Sequence, residues 1–247
     1  MFVSDMKSKA LEGMQQAVHQ LANPAIAAHS QRFFKTGPGQ YGEGDRFLGI
    51  RVPQLRRLVP LFITAPLDDL LSLLRSPYHE ERLLALLLMV ARFQRGEVAE
   101  QSRIYTGYLA HTAFINNWDL VDCSAPSLVG GWLSTQNDRE ILHTLARSSS
   151  LWERRIAIMA TFFFIRQGYF ADCLALSTRL LHDRHDLIHK AVGWMLREIG
   201  KKDQVTAKHF LDQHYRTMPR TMLRYAIESL PPAERQAYLL GTVESLA

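Results

Sequence analysis

Trp118 and Asp122 stand four residues apart in the stretch Asn116-Asn117-Trp118-Asp119-Leu120-Val121-Asp122. On a helix that spacing puts both side chains on one face. An aromatic plate beside an anion suits a flat, positively charged group. Asn116 opens the stretch as a helix cap, and Asp119 stands where a carboxylate bonds back to the helix start, so Asp119 has a structural task. Asp122 lies beyond the reach of the cap and is the candidate for chemistry. Tryptophans at helical spacing usually pack in a core. Trp118, however, sits where its helix has barely entered one.

Three further clusters carry chemistry-bearing residues. Trp152-Glu153-Arg154-Arg155 opens an otherwise apolar helix, and Lys190-Ala191-Val192-Gly193-Trp194 sets a cation four residues before a tryptophan, with Gly193 thinning the helix for close packing. Trp132, after Gly130-Gly131, reads as packing. His185-Asp186-Leu187-Ile188-His189 has the outline of a zinc-protease helix, but it lacks a third ligand and its acid is too short to reach a metal-bound water. No metal is expected. Cys123 and Cys173 have no CxxC spacing and no catalytic partner, which fits packed thiols in a reducing cytoplasm.

The elements that must position these residues all have a helical period, and strand alternation is absent. One helix runs from Met6 to Leu21 and ends at Asn23-Pro24; a second covers Ala25 to Lys35. The Gly-rich stretch from Thr36 to Gly44 lacks the Gly-Lys-Ser/Thr of a phosphate loop and reads as a structural turn. Helices are then predicted over 53–62, 67–74, 78–94, 97–112, 117–133, 137–147, 151–166, 169–182, 186–199, 203–215, 219–229 and 232–240. No Pro/Ser-rich linker divides them. The expected organisation is one domain over 1–247, with N-terminal helices and loop in 1–50 and a repeat array in 51–240.

The array has a period. Setting Arg82 equivalent to Arg155 aligns Arg82, Trp118, Arg155, Lys190 and Arg224, at spacings of 34 to 37 residues. Two helices at that length predict an all-α solenoid of HEAT-like repeats, whose equivalent positions line one concave surface. A basic groove with Trp118 near its middle suits a nucleic-acid backbone. The plainer alternative is that each basic residue braces the neighbouring repeat.

Bulk properties agree. Among 247 residues the net charge is +5, which permits a polyanionic partner without requiring one. The longest apolar runs, Leu83 to Ala91 and Ala157 to Ile165, fall well short of the roughly 20 residues a bilayer demands. The opening residues around Asp5 have no secretory core segment. A cytoplasmic protein is expected.

Four blocks in order resemble the AlkD-like DNA alkylation repair family: Phe47-Leu48-Gly49-Ile50-Arg51-Val52-Pro53, Trp118-Asp119-Leu120-Val121-Asp122, Trp152-Glu153-Arg154-Arg155, and Lys190 through Glu198. The resemblance implies a HEAT-like repeat DNA glycosylase that removes cationic N3- and N7-alkylated purines from double-stranded DNA, with the lesion left in the duplex. It implies Asp122 as the catalytic aspartate, Arg155 at the DNA backbone, and Trp118 and Trp194 as aromatics flanking the lesion. Arg154, Lys190, Arg82, Arg197, Arg224 and Arg51 form the expected DNA-binding set. No cofactor is implied, and the fold would function as a monomer. Two departures stand out: Asn117 where some members carry a second tryptophan, and Asp186-Leu187 where some carry aromatics. The alternative from the residues alone is a non-catalytic repeat protein that binds distorted or branched DNA.

Overall fold

The computed structural model describes residues 8–243. Among them the only strand-like feature is an isolated bridge between Arg46 and Tyr78. The helices are α1 (Lys9–His19), α2 (Pro24–Phe33), α3 (Val52–Phe62), α4 (Leu67–Leu74), α5 (His79–Phe93), α6 (Val98–Ala110), α7 (Trp118–Ala125), α8 (Gly131–Leu133), α9 (Glu140–Ala146), α10 (Leu151–Ala160), α11 (Phe162–Arg166), α12 (Ala171–Arg179), α13 (Asp186–Lys202), α14 (Gln204–His214), α15 (Arg220–Ala226) and α16 (Pro232–Leu240). This is the all-α class the periodicity predicts. Of the helix expected from Met6, residues Met6 and Lys7 lie outside the described chain, as does Asp5. The chain divides into two compact units, Met1–Leu128 and Val129–Ala247.

In the first unit α5 is central, packing against α1, α3, α4, α6 and α7. It is apolar all round, and every residue from Leu83 to Met89 is buried, as expected of a helix covered on all sides. Its first turn is nonetheless charged. Glu80 accepts the backbone N–H groups of Leu48 (2.8 Å), Gly49 (2.8 Å) and Ile50 (3.1 Å), and Glu81 accepts from Gln15 and His19. Two buried carboxylates thereby attach the N-terminal segment to the core helix. Gly49 is required where it stands: its φ is +83°, and a Cβ would lie 2.5 Å from the amide nitrogen of Ala27.

The second unit is built around α13, which packs against α10, α11, α12, α14 and α15. Gly193 makes the α13–α15 approach possible. A Cβ there would collide with the Met222 carbonyl and lie 2.6 Å from Tyr225 Cβ, so the expectation that it allows close packing holds. Gly193→Ala is expected to destabilise the protein by about 1–3 kcal/mol, the usual cost of overpacking. It should read as a lower urea midpoint with an unchanged native circular dichroism spectrum.

No helix among the described residues is long and apolar enough to cross a membrane. Two stretches predicted as single helices are interrupted. Over 117–133 the α ladder widens into a π turn at Pro126–Gly130, because Pro126 has no N–H to donate. Over 151–166 it breaks at buried Thr161, whose hydroxyl takes the Ile158 carbonyl at 2.6 Å in competition with the backbone.

Candidate active site

The setting of Trp118 is built from three distant segments. Asn117, with 0% of its surface exposed, is the N-cap of α7; its Oδ1 accepts the Trp118 N–H at 2.9 Å. Its Nδ2 donates to Asp45 Oδ2 at 3.3 Å. The cap is therefore Asn117 and not Asn116, whose side-chain oxygen instead accepts from Arg82 at 3.1 Å. Asp119 is structural as expected, by a different route. Its Oδ1 accepts the Leu120 N–H at 2.9 Å, and its Oδ2 meets His79 Nε2 at 2.8 Å. His79 Nδ1 in turn lies 2.8 Å from Asp45 Oδ2. Both sequence neighbours of Trp118 are thus fastened to the Asp45–His79 pair.

Asp45 ends the Gly-rich loop, and the loop is structural. Its amides are engaged internally: Gly37 N–H donates to Gln40 Oε1, Gly39 N–H to Glu43 Oε2 and Gly42 N–H to the Lys35 carbonyl. None of these three is left for a phosphate.

Burial alone would lower the pKa of His79, but the charge of Asp119, its hydrogen bond, and then Asp45 outweigh it and raise the pKa from 6.5 to about 9. An imidazolium donates from both ring nitrogens, and a neutral ring would leave one buried carboxylate without its proton donor. Burial would raise Asp45; the bond and charge of His79 and the charge of Arg82 hold it below the ordinary carboxylate value. The sign of the linkage follows. The folded pKa of His79 lies above the unfolded one, so its stabilisation is complete below about pH 6.5 and lost as pH rises through about 9. The shift corresponds to on the order of 3 kcal/mol. Urea midpoints are expected to fall across this window in the wild type and to stay flatter in His79→Gln.

Trp118 is half-buried at the edge of an aromatic stack. Phe34 lies parallel to it with centroids 5.3 Å apart, Phe47 stacks on Phe34 at 4.9 Å, and His79 stacks on Phe47 at 4.4 Å. One face of Trp118 is thereby covered. Asp122 is one turn further along α7 and also half-buried, so the predicted shared face exists.

Arg82 is corrected from a groove cation to a brace. It is 4% exposed and donates to Asp45 (2.6 Å) and to the carbonyl of Ser76 (3.0 Å). The repeat register moves with it. Arg82, Arg154 and His189 each donate to a carbonyl six residues back, on Ser76, Ser148 and Asp183. The side chains of those three residues each accept the N–H two residues on, from Tyr78, Ser150 and His185. Arg82 therefore matches Arg154, not Arg155. Counted from the caps Tyr78, Asn117, Ser150, His185 and Pro219, the fifth positions are Leu83, Asp122, Arg155, Lys190 and Arg224. By that count Asp122, and not Trp118, falls in the register row of Arg155, Lys190 and Arg224.

Within the second unit the members of that row differ. Arg155 is 5% exposed and donates to the Leu187 carbonyl at 2.5 Å, bracing the first turn of α13 as the plainer alternative has it. Arg154 clasps Asp183 at 2.6 and 3.3 Å and the carbonyls of Ser148 and Ser149. Lys190 is partly exposed and pairs with Asp186 at 2.8 Å. Arg224 is exposed, as is Arg51 in the first unit. Arg197 forms ion pairs with Glu228 and Glu198. Trp194 is half-buried, donates to Glu198 Oε1 at 3.1 Å and tilts against Phe162 at 6.0 Å.

His185 accepts the Leu187 N–H as the cap of α13, and His189 holds the Asp183 carbonyl, so both imidazoles have structural tasks. Burial, the first cause for both cysteines, pushes the Cys173 thiol up to about 11 and Cys123 further still. At neutral pH neither is a thiolate nucleophile.

The sequence pattern of the family described as "DNA alkylation repair enzyme" matches residues 14–230. The chain belongs to that family. A solved structure described as "Predicted DNA alkylation repair enzyme from Enterococcus faecalis" is 19% identical to this DNA alkylation repair family member. It superposes with a TM-score of 0.66 over 85% of this chain and 97% of that one, a likeness of fold. No curated protein matches the chain. Asp45, His79 and Phe34 escape a motif reading of this family member because they come from segments far from Trp118 in the chain.

Proposed function

We propose that the protein is a monofunctional DNA glycosylase acting on cationic N3- and N7-alkylpurines in duplex DNA. The observation that carries this reading is the pairing of Trp118 and Asp122, one turn apart and both partly exposed, in a chain of the DNA alkylation repair family.

Alkylation at N3 or N7 places a positive charge on the purine. When the C1′–N9 bond breaks, its electron pair neutralises that charge, so the base is a good leaving group without prior protonation. The remaining cost is the cation that develops at the deoxyribose. The carboxylate of Asp122 stabilises that charge and orients the water that adds at C1′ and sheds its proton. The exposed part of Trp118 holds the flat cationic base, a contact of roughly 0.5–2 kcal/mol. The exposed cations Arg224 and Arg51 and partly exposed Lys190 supply phosphate contacts, with a salt-dependent affinity. In the second unit, Arg155 holds the start of α13, the helix that carries Lys190.

Incubation with duplex carrying 7-methylguanine, followed by assay of free base, is the test. Release by the wild type well above Asp122→Asn is expected. Equal release by the two proteins would sink the assignment. Salt-dependent duplex binding with no base release would make the protein a non-catalytic DNA binder.

A further inference from the structure

His79 opens α5, is 2% exposed, and has a carboxylate at each ring nitrogen. Asp45 Oδ2 lies 2.8 Å from Nδ1, and Asp119 Oδ2 lies 2.8 Å from Nε2. Phe47 stacks on the ring at 4.4 Å and Phe34 tilts against it at 5.1 Å, which leaves it little room to turn. Arg82 extends the cluster. The nitrogen that reaches Asp45 also donates to Asn116 Oδ1 at 3.1 Å. With the bond from Asn117 to Asp45, the side chains of Asn116, Asn117 and Asp119 are all held by this one cluster. The remaining residue of the run is Trp118, which stacks on Phe34.

These attachments exceed what the start of a helix needs. Asn117 already caps α7, and Asp119 already accepts the Leu120 N–H. An apolar residue in place of a buried ion pair often costs no stability. What hydrogen bonds to both edges of a rigid ring add is direction. The eight residues of α7 divide into two halves at 100° per residue. Leu120, Val121, Ser124 and Ala125 are buried on one half, and Trp118, Asp119, Asp122 and Cys123 are half-buried on the other. His79 thus holds the helix by a residue on the same side as Trp118 and Asp122, and rotation of α7 about its axis would swing all three together.

We propose that His79 is a positioning residue for base release: held between Asp45 and Asp119, it fixes the rotation of α7 and so the direction in which Asp122 projects. This inference rests on the proposed glycosylase reading and deepens it. His79 is buried and acts through Asp119 rather than on the substrate. A small rotation is enough to matter, because a misplacement of about 1 Å at a reacting centre can cost on the order of 100-fold in rate.

The experiment measures two quantities at pH 7.5 in proteins shown by urea titration to be folded. They are the single-turnover rate of 7-methylguanine release at saturating protein, and the affinity for unmodified duplex. His79→Gln and Asp119→Ala are each expected to slow release by about fivefold or more, with affinity within about threefold of wild type. The double variant is expected to be no slower than the slower single one, because both changes release the same contact. Charge alone predicts otherwise: losing the His79 cation would favour a developing cation nearby and speed the reaction. Asp119→Asn loses the charge but can still bond to Leu120 and His79, and is expected to release base faster than Asp119→Ala. That comparison decides the matter if His79→Gln does not fold. Slowing of less than about fivefold in the folded variants overturns the proposal. So do additive effects in the double variant, equal rates in Asp119→Asn and Asp119→Ala, or a loss of affinity in proportion to the rate. If the wild type releases no base, the glycosylase reading fails and this one with it. A wild type that releases base and an inactive Asp122→Asn, with His79→Gln and Asp119→Ala as fast as wild type, remove this proposal alone.

Discussion

Asp122→Asn is expected to slow release of 7-methylguanine from duplex DNA by 100-fold or more under single-turnover conditions. Removing one preorganised electrostatic group from an active site costs about 10²–10³ in rate. On the proposed reading the lost group is a carboxylate facing a developing cation, so the effect belongs at the upper end. Asparagine keeps the shape of the side chain. DNA affinity is expected to hold or to tighten, because a carboxylate near phosphates repels them. A rate loss with unchanged binding separates a transition-state role from a binding role. A proportionate loss of both would count against chemistry at this position.

Glu80→Ala is expected to be the most damaging substitution for the fold. The carboxylate is 2% exposed and satisfies three consecutive backbone N–H groups, on Leu48, Gly49 and Ile50. No other group in that turn replaces it, and a buried donor left without a partner costs about 1–3 kcal/mol. The sum is on the order of 3–9 kcal/mol, a large part of the stability of an ordinary domain. Glu80→Gln has one acceptor oxygen in place of two and is expected to fall between alanine and wild type. Equilibrium urea unfolding with both variants is the check. An alanine variant within 1 kcal/mol of wild type would mean that water enters and replaces the carboxylate.

Much of the fold is legible in the sequence because helix signals are local. The apolar spacing over 67–74 coincides with α4, and Asn23-Pro24, read as the stop of the first helix, separates α1 from α2. The face shared by Trp118 and Asp122 is legible for the same reason, since it depends on an interval of four within one helix. The error at Arg82 has an equally physical origin. One residue of register is about 100° of rotation about a helix axis, and with two adjacent arginines at 154 and 155 a periodicity argument has no means of telling which of them matches Arg82. The side-chain bonds to Ser76 and Ser148 decide it, and they are invisible in spacing. Asp45 and Asp119 are beyond such a reading altogether. Each meets His79 across 34 and 40 residues, a pairing that only the packed helices bring about.

The hydrogen bond from Asn117 to Asp45 has a consequence in time. It joins residues 72 apart in the chain. Closing a loop of that size loses conformational entropy before the contact returns anything, so long-range bonds of this kind form late in folding. The helices α3, α4, α5 and α6 all lie inside that loop and have to be in place first. Trp118 is therefore expected to become ordered only once those helices have packed.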